Sequence, residues 1–126
     1  MLRDAPLIAL VPVADIDVAR EFYVDTLGLA VTDESPFALV VDAGGTMLRL
    51  TPVEDLRPQP FAVAGWQVPD IAASIDGLVG RGVTFVLYEG LDQDDRGVWS
   101  IPSGDRVAWF RDPGGNTLSL TQFSRS

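Results

Sequence analysis

The run Met47-Leu48-Arg49-Leu50-Thr51 sets a lone cation between two leucines. Alternation of side chains along a strand sends Leu48 and Leu50 to one face and Met47, Arg49 and Thr51 to the other. A guanidinium so placed can clamp a carboxylate, phosphate or enolate oxygen with its two-pronged donors, or it can close an internal salt bridge with an acid such as Glu54 or Glu89. Other chemistries are narrowed by what the chain lacks. It contains no histidine, cysteine or lysine, so its serines and threonines have no partner to activate them and a catalytic triad is excluded. Zinc, iron and nickel sites draw on imidazole and thiolate donors, which are absent too. Asp92, Asp94 and Asp95 suggest calcium, but an EF-hand loop needs an oxygen ligand where Arg96 stands and a glutamate where Ser103 stands; a solvated turn fits better. Gly77, Gly80 and Gly82 fall at a helix end rather than after a strand, so they form no dinucleotide fingerprint. Acid-base work is left to carboxylates and tyrosines.

The elements that position these residues are written twice. VADID at 13–17 recurs as VPDIA at 68–72, and VDAGGTMLRLT at 41–51 lines up with RDPGGNTLSLT at 111–121. The first spacing is 55 residues and the second 70, which places an insertion at about 89–105 of the second copy. In the first copy an apolar strand over 7–13 leads to Asp15, placed to cap a helix with Ile16, Ala19, Phe22, Tyr23 and Leu27 inward, and Gly28 ends it. Strands near 29–33, 36–42 and 46–51 follow, the last two joined by a turn at 42–45. In the second copy a strand over 63–68 precedes Asp70, which caps a helix with Ile71, Ile75, Leu78 and Val79 inward, stopped by Gly82. Strands are expected near 83–88, 106–111 and 116–122, with Pro113 and Gly114 at the centre of the last turn. The pattern is that of an α+β fold: two tandem βαβββ modules, about 1–56 and 60–123, within one domain spanning 1–126.

Alternation extends the candidate site. Thr117, Ser119 and Thr121 oppose Leu118 and Leu120, and if the halves are arranged as the repeat suggests, Arg49 and Ser119 point into one concave pocket with Ile8, Leu10, Val63 and Gln67. The expected ligand-binding set is Ile8, Leu10, Met47, Arg49, Val63, Gln67, Trp99, Ser119 and Thr121, mostly apolar with a few polar groups. Trp66, Trp99, Trp109, Tyr23 and Tyr88 can supply flat faces for an aromatic ligand, though most are expected in the core: Trp66 shares a face with Ala64 and Val68 towards the helix, and Trp99, in the insertion, is the better ligand candidate. The insertion can fold over the pocket mouth or form a plain surface hairpin.

Composition bounds the partners. Nine basic residues against 18 acidic ones give a net charge of −9, which repels nucleic acid and anionic lipid and favours solubility. A hydrophobic fraction of 47% suits a packed core, no apolar run is long enough to cross a bilayer, and residues 1–14 do not read as a secretory signal. A water-soluble, cytoplasmic protein is expected.

VADIDVAREFYVDTLGLAV at 13–31 and VAWFRDPGGNTLSLTQF at 107–123 resemble the helix-opening and closing-strand motifs of the vicinal oxygen chelate superfamily, which groups glyoxalase I, extradiol dioxygenases, fosfomycin-resistance enzymes and bleomycin-binding resistance proteins. The resemblance spans nearly the whole chain. It implies a curved mixed sheet around the pocket and one divalent metal held by four residues, whose positions here carry Ile8, Arg49, Val63 and Ser119. None of the four is a usual ligand, so no metal and no cofactor are expected. The reading is a metal-free protein, a homodimer in the manner of the resistance proteins, that sequesters a small organic molecule. The alternatives are a metal-independent isomerase or lyase with Arg49 stabilising an oxyanion, and a partner-binding scaffold with a vestigial pocket.

Overall fold

The computed structural model describes residues 1–124. The chain divides into two compact units, Met1–Arg57 and Pro58 onward, and each builds an open, mixed four-stranded sheet.

In the first unit, β1 (Ile8–Val13) leads to α1 (Ile16–Arg20), which continues as a π-helical segment (Glu21–Thr26), then β2 (Ala30–Ser35), β3 (Ala38–Ala43) and β4 (Thr46–Pro52). The strand order is β1-β4-β3-β2, with β1 parallel to β4 and the other pairs antiparallel. Asp15 starts the helix by accepting hydrogen bonds from the N–H groups of Asp17 (2.8 Å) and Val18 (3.2 Å), which would otherwise have no partner. The wider turn shows in the Leu27 N–H, which reaches back five residues to the Phe22 carbonyl at 2.9 Å. α1 packs on β3 and β4, and Val11, Leu39, Val41, Leu48 and Leu50 are buried together with Tyr23.

The second unit repeats the plan. β5 (Ala62–Gln67) and α2 (Ile71–Val79) precede β6 (Trp99–Ser100), β7 (Arg106–Arg111) and β8 (Thr117–Gln122), in the order β5-β8-β7-β6. Asp70 caps α2 by accepting from Ala73 N–H at 3.0 Å, and Ile71 and Ile75 are buried against β7 and β8 with Ala108, Phe110, Leu118 and Leu120. Val79, expected inward, is 52% exposed. It falls on the last helical residue, at the edge of the stripe that Ile71, Ile75 and Leu78 define at intervals of four and three.

The strand expected over 83–88 does not form as a continuous element. Phe85 makes a single bridge to Phe110, and Val86 N–H donates to the Trp109 carbonyl at 2.8 Å. The chain then leaves the sheet and returns as β6, where Trp99 pairs with Val107 and Ser100 with Arg106. Residues 85–86 and 99–100 thus run along β7 in one direction, as two pieces of the same strand position interrupted by an excursion.

Pro113 and Gly114 take the central positions of the last turn, as expected, with the Gly115 N–H donating to the Asp112 carbonyl at 3.0 Å. The left-handed residue is Gly115 (φ +97°), not Gly114, and a Cβ there would lie 2.9 Å from Pro58 Cγ, so a side chain is excluded by conformation and by space.

Phe110, fully buried and in ring contact with Trp66 (6.3 Å) and Phe85 (5.3 Å), is the centre of the second unit's core. Phe110→Ala is expected to cost about 3–5 kcal/mol of unfolding free energy, and Asp15→Ala or Asp70→Ala about 1 kcal/mol each, as measured by urea denaturation.

Candidate functional site

In each unit the helix covers one face of the sheet and leaves the other open. On the first unit's open face, register places Ile8 beside Met47 and Leu10 beside Arg49, with Asp42 and Val40 across on β3. All four predicted residues of this unit therefore share one face, and they are exposed, Leu10 at 67%. Ile8 and Met47 also line an open cleft of about 660 Å³ with Leu7, Thr46 and Thr32. Within its own unit Arg49 forms no ion pair among the described residues, so the salt-bridge alternative to Glu54 is not made.

On the second unit's open face two rows run across the strands. Gly65, Ser119 and Trp109 form one, and Gln67, Thr121, Val107 and Trp99 the other. Val63 stands at the irregularity between Ala62 and Ala64 and is exposed. Ser119 lies so close over β5 that a Cβ on Gly65 would sit 2.3 Å from its Oγ and 3.1 Å from its carbonyl oxygen, so a side chain at 65 would force the Ser119 hydroxyl to turn away.

This face carries an aromatic cluster. Trp109 stacks with Trp99 at 6.2 Å and 28° and meets Tyr88 edge-on at 5.4 Å and 83°, all three rings being half-buried. Trp99 is the aromatic residue the sequence singles out for a ligand; Tyr88 and Trp109 belong to the aromatic group of which most members are expected in the core. The placement of Trp109 has a physical origin in the turns. In the first unit Ala43 pairs with Thr46 across a two-residue turn, whereas in the second Arg111 pairs with Thr117 across five residues. The sequence alignment of the two copies matches Trp109 with buried Leu39, but register pairs Trp109 with Ser119 as Val40 pairs with Arg49. One extra ladder step moves a residue to the opposite face. The signal that would have found Trp109 is its parity with Ala108 and Phe110 on either side. Trp66, expected on the helix-facing side, is half-buried and stacks on buried Phe110.

The excursion between Tyr88 and Trp99 is tied to its own unit. Arg96 donates through Nε and Nη2 to the two carboxylate oxygens of Asp76 on α2, each at 2.9 Å, and Asp94 accepts from the N–H groups of Arg96 and Val98 at 2.9 Å. The hydrogen bond from Arg96, aided by its charge, holds Asp76 below the usual carboxylate range. A second open cleft, about 340 Å³, lies between α2 and this excursion, lined by Val79, Val83, Phe85, Leu87 and the Asp76 and Arg96 pair.

A model of the glyoxalase/bleomycin resistance protein/dioxygenase superfamily matches residues 7–120. The chain belongs to that superfamily. A solved superfamily member from Sphaerobacter thermophilus is 27% identical with a TM-score of 0.73, covering 97% of this chain and 99% of that one. TnmS3, an antibiotic binding protein from Streptomyces sp. CB03234, is 28% identical with a TM-score of 0.72, covering 98% and 99%. A lactoylglutathione lyase from Agrobacterium tumefaciens, 23% identical with a TM-score of 0.65 over 94% and 93% of the two chains, shares the fold. No curated protein sequence matches.

The superfamily's metal positions, as the resemblance assigns them, do not fit a transition metal here. Ile8 and Val63 offer alkyl groups, Arg49 an exposed cation, and Ser119 a neutral hydroxyl packed over Gly65. Among the described residues no group of three or more carboxylates gathers within reach of an ion, and no described helix is long and apolar enough to cross a membrane.

Two outcomes are expected. Gly65→Ala should cost about 1–3 kcal/mol through overpacking against Ser119, and Ser119→Ala added to it should recover most of that loss in a double-mutant cycle read by urea denaturation. Because Asp76 has a lowered folded pKa, its charge contributes to folding above the unfolded carboxylate pKa and ceases to as pH falls through the folded value. The difference in thermal midpoint between the native protein and Asp76→Asn should therefore shrink on acidification, and also in high salt, since the pair is open to solvent.

Proposed function

We propose that the protein is a metal-free binding protein that holds a small organic molecule through a planar aromatic group. The observation that carries this reading is the half-buried cluster of Tyr88, Trp99 and Trp109 on the open face of the second unit, bordered by hydrogen-bonding groups of Ser119, Thr121 and Gln67 on the neighbouring strands. Flat rings supply large contact area at little entropic cost, and the adjacent polar row orients what lies on them. The 28% identity to an antibiotic binding protein over nearly the full length of both chains supports it. Arg49, exposed among Leu10, Met47 and Val40, offers the first unit's face a contact for an acidic group.

An isomerase or lyase built on Arg49 is less well supported. The carboxylates on its face, Asp33 and Asp42, are exposed, and Asp42 accepts from the Gly45 N–H in the turn. An acid or base that water keeps solvated lacks the environment that tunes a catalytic proton carrier.

Titration with planar aromatic dyes, proflavine among them, should quench tryptophan emission, and Trp109→Ala should weaken binding about tenfold, ~1.4 kcal/mol. Native affinity in both Trp109→Ala and Trp99→Ala would overturn the aromatic reading, and stoichiometric zinc, nickel, manganese or iron in the purified protein would overturn the metal-free one.

A further inference from the structure

The excursion that splits the fourth strand position leaves the sheet next to Tyr88 and returns at Trp99, so the two rings that flank Trp109 stand at its neck. One side chain closes that neck. Gln93 Oε1 accepts from Tyr88 N–H at 2.7 Å, while Nε2 donates to the Val86 carbonyl at 3.0 Å and to the Gly97 carbonyl at 2.8 Å. Both donors and the acceptor of the amide are thus used, and they reach backbone groups on both limbs of the excursion. Its backbone bridges Trp99 as well. The tip is held separately, by Arg96 on Asp76 and by the turn around Asp94.

A loop of this length otherwise samples many conformations, and a ring at each end would sample them with it. Side-chain amide bonds to the main chain replace the ladder bonds that the broken strand cannot make. They are partly buried, and each unmade partner there would be costly. We propose that Gln93 is a positioning residue for aromatic recognition: by closing the neck it fixes the mutual geometry of Tyr88, Trp99 and Trp109, and so sets affinity for planar ligands without touching them. The proposal rests on the binding reading above for its ligand.

The test uses Gln93→Met, of similar length but without hydrogen bonds, and Gln93→Glu. The second keeps an acceptor for Tyr88 N–H but turns a carboxylate oxygen towards two carbonyls; protonation of that carboxyl restores a donor. Two indoles as close as Trp99 and Trp109 couple in the far ultraviolet and give paired circular-dichroism bands of opposite sign, a signature of their geometry that needs no ligand. Gln93→Met should lose that couplet and bind proflavine roughly tenfold more weakly, a loss on the scale of one or two hydrogen bonds, while the far-ultraviolet helix signal is kept. Gln93→Glu should do the same at neutral pH and recover both readouts as pH falls through its carboxyl titration. A native couplet and affinity in both variants would overturn the proposal. Should Gln93→Met fail to fold, absence of acid recovery in Gln93→Glu overturns it. Should proflavine fail to bind the native protein, the binding reading falls, and the couplet alone still decides the role of Gln93.

Discussion

The period of two along a β-strand governs everything that can be said of this protein's chemistry. Each sheet has a helix on one face, so a residue is committed to the core or to the open face by parity alone, and the pairing of facing residues is set by how many residues the intervening turn consumes. In the first unit a two-residue turn keeps Asp42 within the ladder opposite Met47. In the second, Asp112 drops out of the ladder into a five-residue turn, where it is buried and accepts from the backbone N–H and the side-chain amide of Asn116, each at 2.9 Å. The shared Asp-x-Gly-Gly motif thus folds in two ways, and the difference delivers Trp109 to the open face.

The same constraint explains why the second unit tolerates its insertion. A fourth strand at the edge of a sheet pairs on one side only, so interrupting it costs fewer ladder bonds than interrupting β7 or β8 would. Phe85 and Val86 hold one end of β7, and Trp99 and Ser100 the other. The interior stretch is satisfied from within the excursion by Gln93 and Asp94. Polar side chains standing in for a missing strand are consistent with the general rule that buried backbone groups find partners, and no described buried side-chain nitrogen or oxygen lacks one.

Much of the fold was legible because the repeat writes it twice. Asp15 and Asp70 cap their helices, and the Leu48/Leu50 and Leu118/Leu120 pairs enter the core. The alternation around Arg49 and Ser119 correctly separated the two faces of β4 and β8. What was not legible is what depends on counts rather than types. Turn lengths differ by three residues between copies that align without a gap, and no propensity reports that. The break after Val86 was equally hidden, since VTFVLY reads as a strand by composition and only the competition for β7's edge, occupied further along by Trp99 and Ser100, shortens it.

The open faces of the two units have diverged in opposite chemical directions from one plan. At matching ladder positions the first unit sets Val40 beside Arg49, and the second sets Trp109 beside Ser119. A cation left exposed among aliphatic side chains attracts an anionic group; it repels a metal ion. An indole beside a small hydroxyl, made possible by glycine on the adjoining strand, offers a flat apolar surface with a polar edge and supplies no strong donor either. Side chains of these kinds offer no donor set for a divalent transition metal, and the alternation that builds both faces does not depend on them. The scaffold needs its buried leucines, capping aspartates and turn glycines to fold, and none of those points to the open faces. That separation of folding residues from binding residues is what allows one architecture to keep its shape while its pocket chemistry changes.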